Sequence, residues 1–349
     1  MAVSTERDPQ ATRADLARWL EARTGAEGVE VGEVSIPGLS GFSNETLLFD
    51  ATWDGDVHRL VIRVEPTGHT VFPATAFDAQ VQVMQALATE GSVPVPPVLW
   101  FEQGTDVLGS RFVCMERVEG EVPADNPGYH GEGWMTALDG AGQQRVWESG
   151  LDTMAAIHRL DADSLGLDWL HPVAPAEQLQ LDREYRTFAC GEVAYPVVDR
   201  AFELLSASVP PPVAQPALCW GDSRIGNMIF GADQQVAAVL DWEMVTAGDP
   251  VQDLAWYLLL DHHHTIAFEV PRLPGLPSRA ESISRWEQAS GYSAEHLEWY
   301  ELLAAARYAS VMVRVMMLLD STGVFPGAAA TAFEQTGTRL LGAMLDERY

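Results

Sequence analysis

The 349-residue chain contains no lysine. All 21 of its basic residues are arginine, set against 50 aspartates and glutamates, for a formal net charge of −29. A surface that acidic repels phosphate backbones and anionic headgroups, so nucleic-acid and membrane partners are set aside, while cationic ligands and Mg2+ are favoured; solubility alone is the plainer reading of the same charge. Cysteine is scarce too: Cys114, Cys190 and Cys219 are far apart and odd in number, which excludes a disulfide framework and a Cys-x-x-Cys metal site and suits a reducing compartment. No apolar run reaches the roughly 18 residues of a membrane span; the longest candidate, Ala309–Leu319, is broken by Arg314. The polar start, Met1 to Gln10, lacks a signal-peptide pattern. No Gly-x-Gly-x-x-Gly turn follows a strand and opens a helix, which sets aside a dinucleotide-binding reading. These absences predict a soluble cytoplasmic protein and leave its oligomeric state open.

What is present is enough apolar material for a core, 47% of residues against 20% charged. Residues 8–24 carry Leu16, Trp19 and Leu20 at helical spacing. Val29–Ile36 alternates weakly; Glu45–Trp53 and Arg59–Val64 read as strands around the turn Asp54-Gly55-Asp56. Residues 76–90 are helical by period (Phe77, Val81, Met84, Leu87) and end at Gly91; Val98–Glu102 and Arg111–Arg117 are further strands. Beyond Glu119-Gly120 the texture turns helical, with a long helix over 141–160, a loop over 207–216, a short strand Ala217–Trp220, a hairpin over Met228–Leu240 and helices over most of 251–349. The pattern predicts an N-terminal helix (1–24), a small β-rich part (25–115), a link at 116–120 and a mainly helical part (121–349).

The densest chemical signal is Trp220-Gly221-Asp222-Ser223-Arg224-Ile225-Gly226-Asn227, followed by Asp241 at the end of the apolar strand Val236–Leu240. An Asp suited to a hydroxyl proton, with an Asn and an Asp suited to Mg2+, is the equipment phosphoryl transfer needs. Upstream, the small-residue turn Gly38–Asn44 is suited to lie over phosphates with its N–H groups, and Arg63 near a strand end is suited to reach phosphate oxygens. Each feature has a plainer reading: a loop-capping Asx pair for Asp222 and Asn227, a simple hairpin turn for Ser40–Asn44, a solvated charge for Arg63. His262-His263-His264 has no metal-ligand spacing beside it. Trp134, Trp147 and Trp256 read as core.

Gly221-Asp222 with Asn227, then Val239-Leu240-Asp241-Trp242-Glu243, Gly248-Asp249-Pro250 and Asp253-Leu254-Ala255, resembles the aminoglycoside phosphotransferase family, which shares its fold with protein kinases. Within it, the chain is similar to uncharacterised actinobacterial phosphotransferases and to the kinase-like domain associated with some acyl-CoA dehydrogenases. The resemblance implies an α+β, two-lobed, protein-kinase-like fold: a small antiparallel β N-lobe and a larger, mainly helical C-lobe. It implies ATP and Mg2+ as cofactors and a small-molecule hydroxyl as acceptor. It makes Asp222 the catalytic Asp, Asn227 and Asp241 the Mg2+ ligands, and Ser40, Gly41, Phe42, Ser43 and Asn44 the nucleotide-positioning loop. Met115, Glu116 and Val118 fall in the hinge that would bond adenine. His158, Arg224, Asp249 and Asp253 are implied structural groups near the site, with Asp249 and Asp253 bracing the catalytic loop; Glu243 is either a structural acid or a further metal or substrate contact.

Three positions depart from the family pattern. Arg63 replaces the usual strand Lys, Gln80 replaces its helical Glu partner, and Trp220 replaces the His before Gly-Asp. Arg63 with Gln80 is expected to keep a hydrogen bond and lose the ion pair. The departures also admit a non-catalytic nucleotide-binding protein, which the retained Asp222, Asn227 and Asp241 argue against. For the acceptor, an amino-sugar or other small alcohol stands beside hydroxyacyl-CoA.

Overall fold

The computed structural model describes residues 7–36, 45–68, 70–73 and 76–348. Asp8 opens the first helix, α1 (Pro9–Thr24), by accepting from the N–H groups of Gln10 and Ala11, with Pro9 at the position where no N–H is needed. Its apolar stripe, Leu16, Trp19 and Leu20, is buried against one face of an antiparallel sheet. The strands are β1 (Glu30–Val31), β2 (Glu45–Trp53), β3 (Asp56–Val64), β4 (Val98–Glu102) and β5 (Phe112–Glu116), in the order β1-β2-β3-β5-β4. The second helix, α2 (Phe77–Glu90), covers the other face. Phe112 and Cys114 of β5 therefore join the α1 cluster, while Val113 and Met115 join Phe77, Val81, Met84 and Leu87. Each fully buried Leu or Phe in these layers stabilises by about 1.5–3 kcal/mol.

β3 starts at Asp56, three residues before the strand expected at Arg59. The tight turn pairs Trp53 directly with Asp56, and the His58 ring stacks on Trp53 with 3.4 Å between centroids, so cross-strand contact extends the strand through a polar stretch.

The rest of the chain is mostly helical: α3 (Trp134–Ala137), α4 (Gly140–His158), α5 (Pro175–Cys190), α6 (Pro196–Ala207), α7 (Val251–Ala267), α8 (Arg279–Ser290), α9 (Leu297–Ser321) and α10 (Thr336–Arg348). Sequence periodicity places neither α5 nor α6, although each has Pro at its start and α6 buries Val198, Ala201, Phe202 and Leu205 at helical spacing. Between α6 and α7 run β6 (Ala217–Cys219), β7 (Met228–Phe230), β8 (Val236–Val239) and β9 (Thr246–Gly248), pairing as β6-β9 and β7-β8. At 25 residues, α9 is long and apolar enough to cross a membrane, which the search for unbroken apolar runs overlooks. Here it is a core helix: it packs on α5, α6, α7 and α10, and its Arg307 pairs with the buried Asp182 of α5. The mixed architecture, an antiparallel sheet with many helices, is the α+β kinase-like arrangement expected.

Two sets of backbone bonds tie the β7–β8 hairpin to the segments around it, one to the loop after α2 and one to the chain just past the 116–120 link. Val239 N–H donates to Pro94 O at 2.8 Å, and Glu121 exchanges both backbone hydrogen bonds with Phe230.

Candidate active site

β6 runs beside β9, with Cys219 opposite Thr246, and delivers the chain to Gly221. Gly221 has φ +91°, and a Cβ there would sit 2.1 Å from the Met244 carbonyl oxygen, so no side chain fits. The chain then passes Asp222, makes a single 3-10 turn at Ile225–Asn227 and enters the β7–β8 hairpin. Leu240 N–H donates to Asn227 O at 2.8 Å, which brings Asp241, just beyond β8, beside Asn227.

Both oxygens of Asp222 are occupied. Oδ1 accepts from Trp256 Nε1 at 2.8 Å; Oδ2 accepts from Asn227 Nδ2 at 2.7 Å and from Arg224 Nε at 3.2 Å. Arg224 also bonds Asp125, and although burial works against its charge, the two carboxylates hold the guanidinium more firmly protonated than usual. Gly226 lies beneath that pair, where a Cβ would be 2.6 Å from Asp125 Oδ1. With its amide nitrogen turned to Asp222, Asn227 has its carbonyl oxygen to offer a cation.

Asp253, at the start of α7, is wholly buried. Its Oδ2 accepts from Trp220 N–H at 2.6 Å and its Oδ1 from Gly221 N–H at 2.9 Å. His158 Nε2 lies 3.0 Å from Oδ2, while Trp286 Nε1 donates to His158 Nδ1 at 3.0 Å. An indole N–H only donates, so Nδ1 is the accepting nitrogen and the proton sits on Nε2, aimed at Asp253. Trp286, His158 and Asp253 thus form a buried chain ending on the two amides that precede Asp222. Asp249 stands one step away: it bonds Val251 N–H at 3.0 Å and Tyr300, so it holds the start of α7 rather than the catalytic loop itself, and burial pushes its carboxyl up. Glu243 is half-buried; its charge adds to burial in raising the Tyr185 hydroxyl, which reaches Val71 O.

Across from this loop, Arg63 of β3 places Nη2 3.5 Å from Asp241 Oδ1. Gln80 is buried on α2, and Arg63 makes no hydrogen bond to it, contrary to the pairing expected from sequence. The longer, forked arginine reaches past the helix to the acid below. Among the described residues, Arg63 Nε is buried without a partner. Asp241 has φ +59°, a left-handed conformation that costs a non-glycine residue about 1–3 kcal/mol and is retained where something over-determines it. Met115 is buried at the end of β5 and Glu116 is exposed beside it. Glu116 N–H donates to Pro97 O at 3.0 Å, and Pro97 has no N–H to return. Val118 follows, half-buried. Ser40, Gly41, Phe42, Ser43 and Asn44 lie outside the described residues.

Among the described residues no group of three or more His, Cys, Asp or Glu side chains converges as a metal cage. His263 and His264 have ring centroids 6.2 Å apart, one bonded to Tyr308 and the other near Asp125. Asn227 and Asp241 offer two hard oxygens, which suits an ion whose remaining ligands are phosphates and water. The unpartnered Arg63 Nε beside them suits an anion. The donor set therefore fits a metal–nucleotide pair better than a metal alone.

Sequence reasoning missed one member of the site. Trp256, read as core, is indeed 5% exposed, yet its N–H is spent on Asp222. The available signal was its place three residues after Asp253: one turn of helix presents both to the same loop.

Residues 36–290, well over half the chain, match the model of the phosphotransferase enzyme family (APH). The chain is 28% identical over 298 residues to a protein named as an acyl-CoA dehydrogenase, IBR3, of Arabidopsis thaliana, covering 79% of this chain and 35% of that protein. It thus spans about a third of the length of this curated relative. Among solved structures it superposes on a candidate aminoglycoside phosphotransferase of Ralstonia eutropha with a TM-score of 0.69 at 22% identity, covering 95% of this chain and 98% of that one. It also superposes on a thermostable mutant of the aminoglycoside phosphotransferase APH(4)-Ia in ternary complex with AMP-PNP and hygromycin B, with a TM-score of 0.58 at 15% identity, covering 94% and 98%. The sequence match and the shared fold agree: the chain belongs to the phosphotransferase enzyme family.

Proposed function

We propose that the protein transfers the γ-phosphoryl group of ATP to a hydroxyl of a small molecule, with Mg2+. The observation that carries this is the convergence on one loop of Asp222, held through both oxygens, with Asn227 and Asp241 and with Arg63 opposite. Nucleotide would lie between the sheet region (25–115) and the helical region (121–349), against the link at 116–120. The Glu116 carbonyl and the Val118 N–H would read the polar edge of adenine beside Met115. Arg63 would bind phosphate oxygens through its fork, and Asn227 and Asp241 would hold the ion. Mg2+, when bound, supplies positive charge between the transferred and leaving phosphates.

In the reaction, Asp222 accepts a hydrogen bond from the acceptor hydroxyl and orients its oxygen toward the γ-phosphorus. The new P–O bond forms as the bond to the β-phosphate oxygen breaks. That electron pair leaves with ADP, and the hydroxyl proton passes to Asp222. Arg224, held by Asp125 as well as by Asp222, keeps positive charge next to that carboxylate.

The acceptor is proposed as an amino-sugar or other small polar alcohol, which the net charge of −29 would attract. Hydroxyacyl-CoA is the second reading, favoured by the similarity to IBR3. The three cysteines are free and buried, which supports a cytoplasmic location. Calorimetry of ATP binding with and without Mg2+, on wild type and Asp241→Ala, tests the nucleotide reading. Mg2+-dependent binding lost in the variant supports it. No binding by wild type at millimolar ATP leaves a scaffold with a degraded kinase fold in its place. A screen of amino-sugars, hydroxy acids and hydroxyacyl-CoAs then separates the acceptor classes.

A further inference from the structure

Aspartate χ2 is a soft torsion with a broad, two-fold profile, so a carboxylate meant to receive a hydroxyl hydrogen needs something to stop it turning. Asn227 and Arg224 both act on Oδ2, from within the same loop. Among the described residues only Trp256 acts on Oδ1, and it comes from a different element, α7. Its own ring is fixed in turn: Tyr308 packs edge-on against it at 6.0 Å, and Tyr308 Oη lies 3.0 Å from His263 Nε2. One turn earlier on α7, Asp253 fixes the backbone amides leading into Asp222.

We propose that Trp256 is a positioning residue for phosphoryl transfer: its indole N–H locks the rotation of the Asp222 carboxylate, so that the remaining lone pair of Oδ1 receives the acceptor hydroxyl. Oδ1 is the oxygen with capacity to spare, because it takes one donor where Oδ2 takes two. The fixed donor removes a rotation that would otherwise be frozen out at every turnover. This rests on the reading of Asp222 as the carboxylate that receives the hydroxyl, and the experiment separates the two.

Trp256 is replaced by 3-benzothienylalanine, which keeps the bicyclic shape and puts sulfur where the N–H stands; Trp256→Phe is the second variant. Turnover is read as Mg-ATP hydrolysis with water as acceptor, and ATP affinity by calorimetry. The expected result is turnover lowered about tenfold or more, as for loss of a hydrogen bond to a charged group, with the ATP dissociation constant within about twofold of wild type, since Trp256 touches the carboxylate and not the nucleotide site. Unchanged turnover in the sulfur variant, where Asp222→Ala abolishes it, reduces Trp256 to packing and overturns the proposal. Full turnover in Asp222→Ala, or no hydrolysis by wild type, overturns the reading beneath it. A readout independent of activity is the Trp256 indole proton resonance, identified by its loss in Trp256→Phe. Asp222→Asn is expected to move it upfield, and an unmoved resonance shows that the bond is absent.

Discussion

Among the described residues, Asp222 accepts three side-chain hydrogen bonds on its two oxygens, from three residues, whereas Arg63 reaches one carboxylate at 3.5 Å and buries an Nε with no partner. The first arrangement is complete in the protein alone. Behind it stands a second complete layer, Trp286 to His158 to Asp253 to the amides of Trp220 and Gly221. The second arrangement is unfinished: a buried guanidinium nitrogen without an acceptor costs free energy that a bound anion would recover. The contrast teaches a division of labour. On the proposed reading, the helical side is organised in advance for the acceptor hydroxyl, and the sheet side for a charged ligand the protein does not itself supply.

Breaking the comparison where it is strongest gives the largest effect. Asp222→Ala is expected to lower turnover about a hundredfold or more, with ATP affinity retained, by steady-state rate and calorimetry. Next, Asp253→Ala is expected to cost about 3–5 kcal/mol, because it strands two buried amides and the His158 N–H. Urea unfolding checks this, and a loss under about 1 kcal/mol would mean that the brace is redundant. On the unfinished side the pattern reverses. Arg63→Met is expected to weaken Mg-ATP binding about tenfold yet change stability by less than about 1 kcal/mol, since its contact with Asp241, though largely buried, is 3.5 Å long, at the limit of hydrogen-bonding distance. A clear loss of stability in that variant would show the sheet side to be as complete as the other.

The smallest effect sharpens the periphery of the helical side. His263, behind Tyr308, is held neutral by burial and by its neighbours His264 and His262, its pKa pushed down from 6.5 to about 4. Between those values the unfolded chain binds the extra proton and the folded one does not. Stability is therefore fullest above pH 6.5 and falls as the pH drops toward 4. In His263→Gln the melting temperature should vary less across that window.

Much of the catalytic loop was legible because its residues are close in sequence. Asp222 and Asn227 are joined by a short loop, and Asp241 is returned to them by the hairpin that Met228–Leu240 predicts. The β2–β3 hairpin was legible from Asp54-Gly55-Asp56 for the same local reason. β9 was not, since three residues carry no period and Thr246–Gly248 is a strand only because β6 lies beside it. Nor was the Arg63 contact with Asp241, 178 residues away, in place of the nearer Gln80. Side-chain reach decides that choice, and reach is set by how the sheet sits over the loop.

The sequence by itself determined the local chemistry: a chain without lysine, an acid, an amide and a second acid spaced around one hairpin, and helices and strands marked by their apolar periods. The tertiary structure alone decided which groups serve those residues. Trp256 became a donor to Asp222 and His158 a strut for Asp253 because α7, α4 and α8 pack together behind the loop. Hydrogen bonds at 2.6–3.0 Å between residues 33 to 128 positions apart are a property of packing, and no spacing in a linear chain encodes them.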